Sequence, residues 1–543
     1  MRVVVRFIAS VALVAGLASG CSAPAPPPGP GFKTAAFPAA FVWGTATAGW
    51  QIEGDAAAVG NDPVQSNWSQ WMAMGEGVGG QTNPRGNGFL TQYDEDAQRA
   101  VDLGLDSFRL SVDWSRIQPA PGVFDEAELA HLDDVLQSLV DHGLKPVLTL
   151  WHWTVPLWVQ DPLAKLDRIS SKQHDVVDDF EAFVRVVIPR VKDKVDTYTV
   201  LNEPLTMVVV GYVDGTFPPG KRLDIEGATD FGINLMYMHA RAFDVIKELD
   251  DKDADADGID SFVGLTMTAN EIYPEDPQSD QEQFAATSLN YVYNDWVIKA
   301  LTLGELDVDL DDVIDPEAGT DPREGIDEAL RNRLEFIGVQ YYGPAKVKQF
   351  DLLDAFPPLY GLPLVDVVKY TALDDQKLPR NGMGREINAS SFAQTLDRYA
   401  QWGLPLFVTE NGTTVNRRPA DKDPAAPLQL DEAQAAMYLT THLWEVGAAI
   451  GRGVDVRGYF HWTLADNFEW VEGRRQRFGA YTVDFDDPAL PRSKNAMGQA
   501  LQDIATAGAV TEEMWQRYVD DNFSTDATAA GQGPTTSEDP TAR

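Results

Sequence analysis

The sequence predicts an α/β protein: a single (β/α)8 TIM barrel with its active site at the C-terminal ends of the strands. Three observations carry the prediction. Eight short apolar segments recur between Phe37 and Ala507, amphipathic helical patterns follow most of them, and no linker-like break interrupts the run. Strand–helix alternation implies parallel pairing through right-handed crossovers, and eight such units close most simply into a barrel. A doubly wound open sheet is the alternative, but no Gly-rich phosphate fingerprint follows an early strand.

In order, the strands are read at 41–50, 107–113, 146–151, 197–202, 262–268, 336–341, 404–409 and 456–463. Helical periodicity follows at 94–103, 127–142, 175–192, 233–249, 282–302, 391–402, 432–449 and 494–506. Gly143, Gly403 and Gly453 punctuate helix-to-strand boundaries.

The N-terminus has its own pattern. Arg2 and Arg6 precede an apolar run from Phe7 to Leu17, followed by Ala18-Ser19-Gly20-Cys21. Residues 1–20 therefore read as a signal peptide, too short to span a bilayer as a mature helix. Cys21 is the only cysteine, which excludes a disulfide within one chain. Its place after small residues resembles a bacterial lipoprotein signal, in which that cysteine is acylated, although Ala18 stands where Leu is more usual. An ordinary secretory signal is the alternative. Either reading makes the protein exported; on the lipoprotein reading it faces the periplasm or cell exterior, with membrane contact only through a lipid on Cys21. Residues 21–36 read as a Pro-rich tether, 37–507 as the barrel, and 508–543 as a C-terminal helix and disordered tail.

Net charge is −40, from 83 acidic against 43 basic residues, which argues against nucleic acid or anionic lipid as partners. The 14 tryptophans suit sugar stacking, though core packing accounts for most tryptophans in proteins.

The ends of the strands are unusually polar. The seventh runs Leu404-Pro-Leu-Phe-Val-Thr-Glu410-Asn-Gly412, and the fourth repeats the pattern in Tyr198-Thr-Val-Leu-Asn202-Glu203-Pro204. Other strands end near Gln51 and Glu53, at Trp151-His152-Trp153, at Gln340-Tyr341-Tyr342 and at Trp462, with Glu469 and Trp470 beyond; Arg109 interrupts the second. In a barrel these converge on one pocket of hydroxyl partners and apolar ring faces. Acetal cleavage needs a proton on the leaving oxygen and support for an oxocarbenium-like centre, and Glu203 and Glu410 from different strands can flank one bond. Carboxyls about 5 Å apart give a covalent intermediate and retention, whereas a wider gap admits water and gives inversion. Sequence leaves that gap open.

Six blocks in order resemble glycoside hydrolase family 1, the β-glucosidase/β-galactosidase family. They are Phe41-Val-Trp-Gly-Thr-Ala-Thr-Ala-Gly-Trp-Gln51-Ile-Glu-Gly54, Phe108-Arg109-Leu-Ser-Val-Asp-Trp-Ser-Arg116, Trp151-His152-Trp153, Leu201-Asn-Glu-Pro204, Thr409-Glu-Asn-Gly412 and Gly458-Tyr-Phe-His-Trp462 through Trp470. The resemblance implies a retaining β-glycosidase acting by double displacement on β-linked glucosides or related small-molecule and oligosaccharide glycosides, with no cofactor required. It makes Glu410 the nucleophile and Glu203 the acid/base, with Arg109 and Tyr342 supporting the nucleophile. Asn202 would grip the sugar 2-hydroxyl, Gln51, His152 and Glu469 the others, and Trp462, Trp153 and Trp470 would surround the ring. Four positions depart from the family pattern: Gln340 for Asn, Thr154 for Asp, Tyr198 for Trp and Trp50 for Tyr. A transglycosidase on the same residues and an inactive glycan-binding barrel are the rival readings. The acceptor side is assigned to loops 61–92, 206–222, 305–330 and 345–388.

One element stands apart. Asp253-Ala-Asp255-Ala-Asp257-Gly repeats the spacing of a calcium loop, but Gly264 occupies the twelfth position where a bidentate Glu belongs. A structural calcium on Asp253, Asp255 and Asp257 is one reading, a solvated acidic turn the other. The Asp-rich run 307–315 reads as a solvated loop. Oligomeric state is left open.

Overall fold

A computed structural model describes residues 32–60, 62–315, 321–348, 366–367, 381–383, 385–414, 416–417 and 429–520. The signal peptide, Cys21, most of the tether, the tail beyond residue 520 and much of loop 345–388 lie outside the described residues.

Eight strands form a closed parallel barrel, each paired with its successor in the chain. They are β1 (Val42–Ala46), β2 (Ser107–Ser111), β3 (Lys145–Trp151), β4 (Thr197–Asn202), β5 (Phe262–Thr268), β6 (Phe336–Tyr341), β7 (Leu406–Asn411) and β8 (Val456–Trp462). Near-continuous burial along these strands, complete in β2 and β6, is what a parallel sheet covered on both faces requires. The interior is packed with side chains. A Cβ at Gly44 would stand 2.3 Å from the Phe460 ring, so β1 needs glycine there.

The outer helices are α1 (Phe89–Asp102), α2 (Glu126–Asp141), α3 (Asp175–Val191), α4 (Ile225–Leu249), α5 (Trp296–Leu303), α6 (Ala389–Ala400), α7 (Glu432–Gly451) and α8 (Ala496–Ala507). Their starts are written in the sequence: Asp125, Asp224, Asn388, Asp431 and Asn495 each accept a backbone N–H of the first turn. In α3 the stripe Val176, Val177, Phe180, Phe183, Val184, Val187 and Ile188 is buried at helical spacing.

Four sequence expectations need correction. The first strand stops at Ala46, and Gly49–Glu53 is a helical turn, because the Ser111 hydroxyl accepts the Gly49 N–H and bends the chain. The helix expected at 282–302 is split into Asp280–Asn290 and α5 by a wide turn at Tyr291–Asp295. The globular unit begins before Phe37: Ala35–Ala36 pairs antiparallel with Ala509–Val510, and Phe32 packs 5.5 Å from Trp515. Loop 305–330 follows α5 and precedes β6, so it lies at the N-terminal rim and cannot be an acceptor-side loop.

Candidate active site

The hub of the site is Arg109, fully buried in the middle of β2. Its guanidinium donates to Glu410 Oε1 at 2.6 Å and to Asn202 Oδ1 at 2.6 Å. Strand register brings the other partners in: Gln340 of β6 lies opposite Glu410 of β7. Gln340 Nε2 donates to Glu410 Oε1 at 2.7 Å and to Asn202 Oδ1 at 2.8 Å. The alternation of side chains then separates the tyrosine pair. Tyr341 turns outward and donates to the Asn388 carbonyl, while Tyr342 donates to Glu410 Oε2 at 2.6 Å. Glu410 thus accepts from three side chains on two elements besides its own.

Glu203 follows β4 with a left-handed backbone, φ 41°, and opens a short helix, Pro204–Val209, whose first residue is proline. That turn brings its carboxyl within reach of the Glu410 charge. Its Oε2 accepts from the Thr206 hydroxyl at 3.0 Å, three residues on in that helix. Both glutamates are almost fully buried, at 6% and 4% exposure for Glu203 and Glu410.

Burial together with the negative charge of Glu410 pushes Glu203 up to about 7. Glu410 is also raised by burial, with Arg109 and Tyr342 pulling against that rise. The two carboxyls therefore differ in what surrounds them: cationic and phenolic donors oppose the rise of Glu410, while the Glu410 charge adds to the rise of Glu203.

The remaining expected contacts line the same space. Gln51 Nε2 donates to Glu469 Oε2 at 3.1 Å and to the Phe468 carbonyl at 3.0 Å, while its buried Oε1 has no protein partner. Desolvation pushes Glu469 up to about 8. His152 is buried beside Trp153, Trp462 and Trp470, with ring centroids 5.4, 6.1 and 5.9 Å away, and its Nδ1 is unpaired. Burial and the nearby Arg109 charge hold it neutral, well below the usual histidine range. Trp153 donates its indole N–H to the Asn202 carbonyl, and Trp470 stacks on Trp50 with planes 11° apart. Unpaired buried polar atoms beside indole faces suit a polyhydroxylated ring. Asn202 spends its oxygen on Arg109, Gln340 and Thr266, which leaves its amide N–H groups to donate to a sugar hydroxyl.

Glu53 does not join them. It pairs with Arg116 at 2.8 Å, and Arg116 also donates to the Gly54 and Ala56 carbonyls. Thr206 and Arg385, whose charge lowers Glu203, were not singled out from sequence. The signal for Thr206 was present, as a hydroxyl one helical turn after the acid; nothing marked Arg385.

Away from the pocket, Asp253 and Asp255 gather with Asp196, their carboxylate oxygens within 4.8 Å of one another. Asp257 is not in that group, and its carboxylate accepts the Ile259 N–H. Lys145 already pairs with Asp255 at 2.7 Å, and backbone N–H groups of residues 254 and 255 occupy Asp196.

Residues 33–509 match the family model for Glycosyl hydrolase family 1. Among curated relatives, a β-galactosidase of Sulfolobus acidocaldarius is 28% identical over 88% of this chain and 96% of its own. Beta-glucosidase A of Thermotoga maritima is 28% identical over 83% of this chain and 93% of its own. A solved Thermotoga maritima family 1 glycoside hydrolase, complexed with a cyclophellitol analogue transition state mimic, superposes with a TM-score of 0.73 at 25% identity, covering 88% of this chain and 99% of that one. The barrel, the paired glutamates at its C-terminal rim and this match over nearly the whole described chain agree: the protein belongs to glycosyl hydrolase family 1.

Proposed function

We propose that this barrel hydrolyses terminal β-linked glucose or galactose with retention, by double displacement. The observation that carries the reading is the asymmetry of the two glutamates. Glu410 is held by Arg109, Gln340 and Tyr342, and Glu203 is kept protonated to about 7. Glu410 attacks the anomeric carbon as the bond to the leaving oxygen breaks, and Glu203 delivers its proton to that oxygen. The product is a glycosyl ester on Glu410. Glu203, now ionised, takes a proton from water, whose oxygen attacks the anomeric carbon and frees Glu410. Relatives described as β-galactosidase and β-glucosidase support either sugar in the donor site.

A panel of aryl β-glycosides with NMR assignment of the first-formed anomer tests it. Release of the β-anomer is expected; the α-anomer, or no hydrolysis of any β-glycoside, would refute it. From the N-terminal residues we further propose export as a lipoprotein acylated on Cys21. Cys21→Ser should then move the protein from the detergent phase to the aqueous phase, and unchanged partition would refute acylation.

A further inference from the structure

A second acidic constellation lies at the other end of the barrel. The segment after α5 forms a two-residue ribbon in which Glu305–Leu306 pairs with Gly325–Ile326, clamping the chain between them at its base. Within it, Asp307, Asp309 and Asp311 bring carboxylate oxygens within 4.8 Å of one another. The expectation of a solvated loop fails at Asp307, which is fully buried, and holds at Asp311, Asp312 and Val313, which are exposed. Its carboxylate is fixed by the Tyr291 hydroxyl at 2.6 Å and by the backbone N–H groups of Leu310 and Asp312.

A fourth carboxylate comes from the far side of the loop. Glu324 is only 6% exposed, and its Oε2 accepts the Val308 N–H at 2.6 Å, which sets the carboxyl between Asp307 and Asp309 in sequence. It feels the charges of Asp307, Asp309 and Asp311. Glu324 Oε1 and Asp309 Oδ1 are both buried without a hydrogen-bond partner. The neighbouring cations are committed elsewhere: Arg323 to Asp230 and Asp321, and Lys299 to Asp312. Unpaired buried oxygens on Glu324 and Asp309, beside the charge of Asp307 and with no cation among their described partners, are costly. The Asp196, Asp253 and Asp255 group differs on this point, because Lys145 answers its charge.

We propose that Asp307, Asp309 and Asp311, with the buried Glu324 carboxyl beside them, bind a calcium ion that pins the Asp307–Asp311 segment to the barrel's N-terminal rim. Oxygens each about 2.3–2.6 Å from a common calcium can stand up to about 5 Å apart, which Asp307, Asp309 and Asp311 satisfy. An all-carboxylate set without His or Cys disfavours zinc and other borderline metals, and several protein carboxylates on a loop suit calcium better than the water-rich octahedron of magnesium.

The test uses the full chain stripped with EDTA and dialysed. Calcium chloride should bind in a calorimetric titration and raise the Tm of the wild type by a few degrees. Asp309→Asn and Glu324→Gln should each abolish the shift, and Asp253→Asn should retain it. No binding to the wild type, a shift surviving both loop variants, or a shift lost in Asp253→Asn alone would overturn the proposal. Should the loop variants fail to fold, terbium luminescence of the wild type decides. Emission sensitised by Tyr291 and Trp296, which both bond Asp307, and quenched by added calcium, is expected. Absence of that emission would overturn the site.

Discussion

Glu410 and Glu203 lie close enough for their charges to interact, with the same side chain and nearly the same burial, yet their surroundings oppose each other. Around Glu410 an arginine, an amide and a phenol all donate, and every one of those bonds favours the ionised form. Around Glu203 only neutral hydroxyls, of Thr206 and Thr268, donate, and the negative charge of Glu410 outweighs the positive charge of Arg385. Burial alone would raise both carboxyls together. What assigns the chemistry is therefore the donor set around each acid.

The largest test of that contrast removes the acids themselves. Glu410→Ala should lower turnover by about 10⁴-fold or more, as loss of a covalent nucleophile does elsewhere. Azide should restore part of the rate and give the α-glycosyl azide; a β-azide from this variant would reverse the roles. Glu203→Ala should cost about 10²–10⁴-fold on alkyl glycosides, whose leaving oxygen needs a proton, and far less on a nitrophenyl glycoside. An equal loss on both substrates would show that Glu203 does not act as the acid.

Smaller effects come from thinning the donors around Glu410. Gln340→Ala and Tyr342→Phe should each lower kcat/KM by about 10-fold, the worth of a hydrogen bond to a charged group. Both should also move the acidic limb of the pH profile upward, since each bond lost favours protonated Glu410. A loss of rate with no movement of that limb would mean that these residues only shape the pocket.

The finest test reads the wild-type profile. Glu203 must be protonated in the free enzyme, so kcat/KM should fall as pH rises through about 7. Glu410 must be ionised, so the rate should also fall toward acid as it gains a proton. Glu203→Gln should erase the alkaline fall and keep the acidic one. An alkaline limb unchanged in that variant would assign it to another group, with Glu469, raised to about 8, the first to examine.

Much of this was legible beforehand because it is local. The span of β4, β5 and β6 follows from short apolar runs, and Asp125 or Asn388 marks a helix start through bonds to the next few residues. Gln340 was visible only as a departure from the family pattern, and its bond to Glu410 depends on the register of two strands seventy residues apart. Loop 305–330 was misplaced because a loop's composition does not say which rim it occupies. Asp307 looked solvated for a related reason: the groups that bury it, Tyr291 and Trp296, precede it on a different element.

By itself the sequence determined the barrel, the order of its elements and the two acids at strand ends, since periodicity and turn chemistry act between near neighbours. Tertiary structure alone decided which acid is dressed with donors, where Glu53 turns, and where the chain's ends lock together through Ala35–Ala36 and Ala509–Val510. Those outcomes depend on register and closure, which join residues tens to hundreds of positions apart and leave no trace in any short window of the chain.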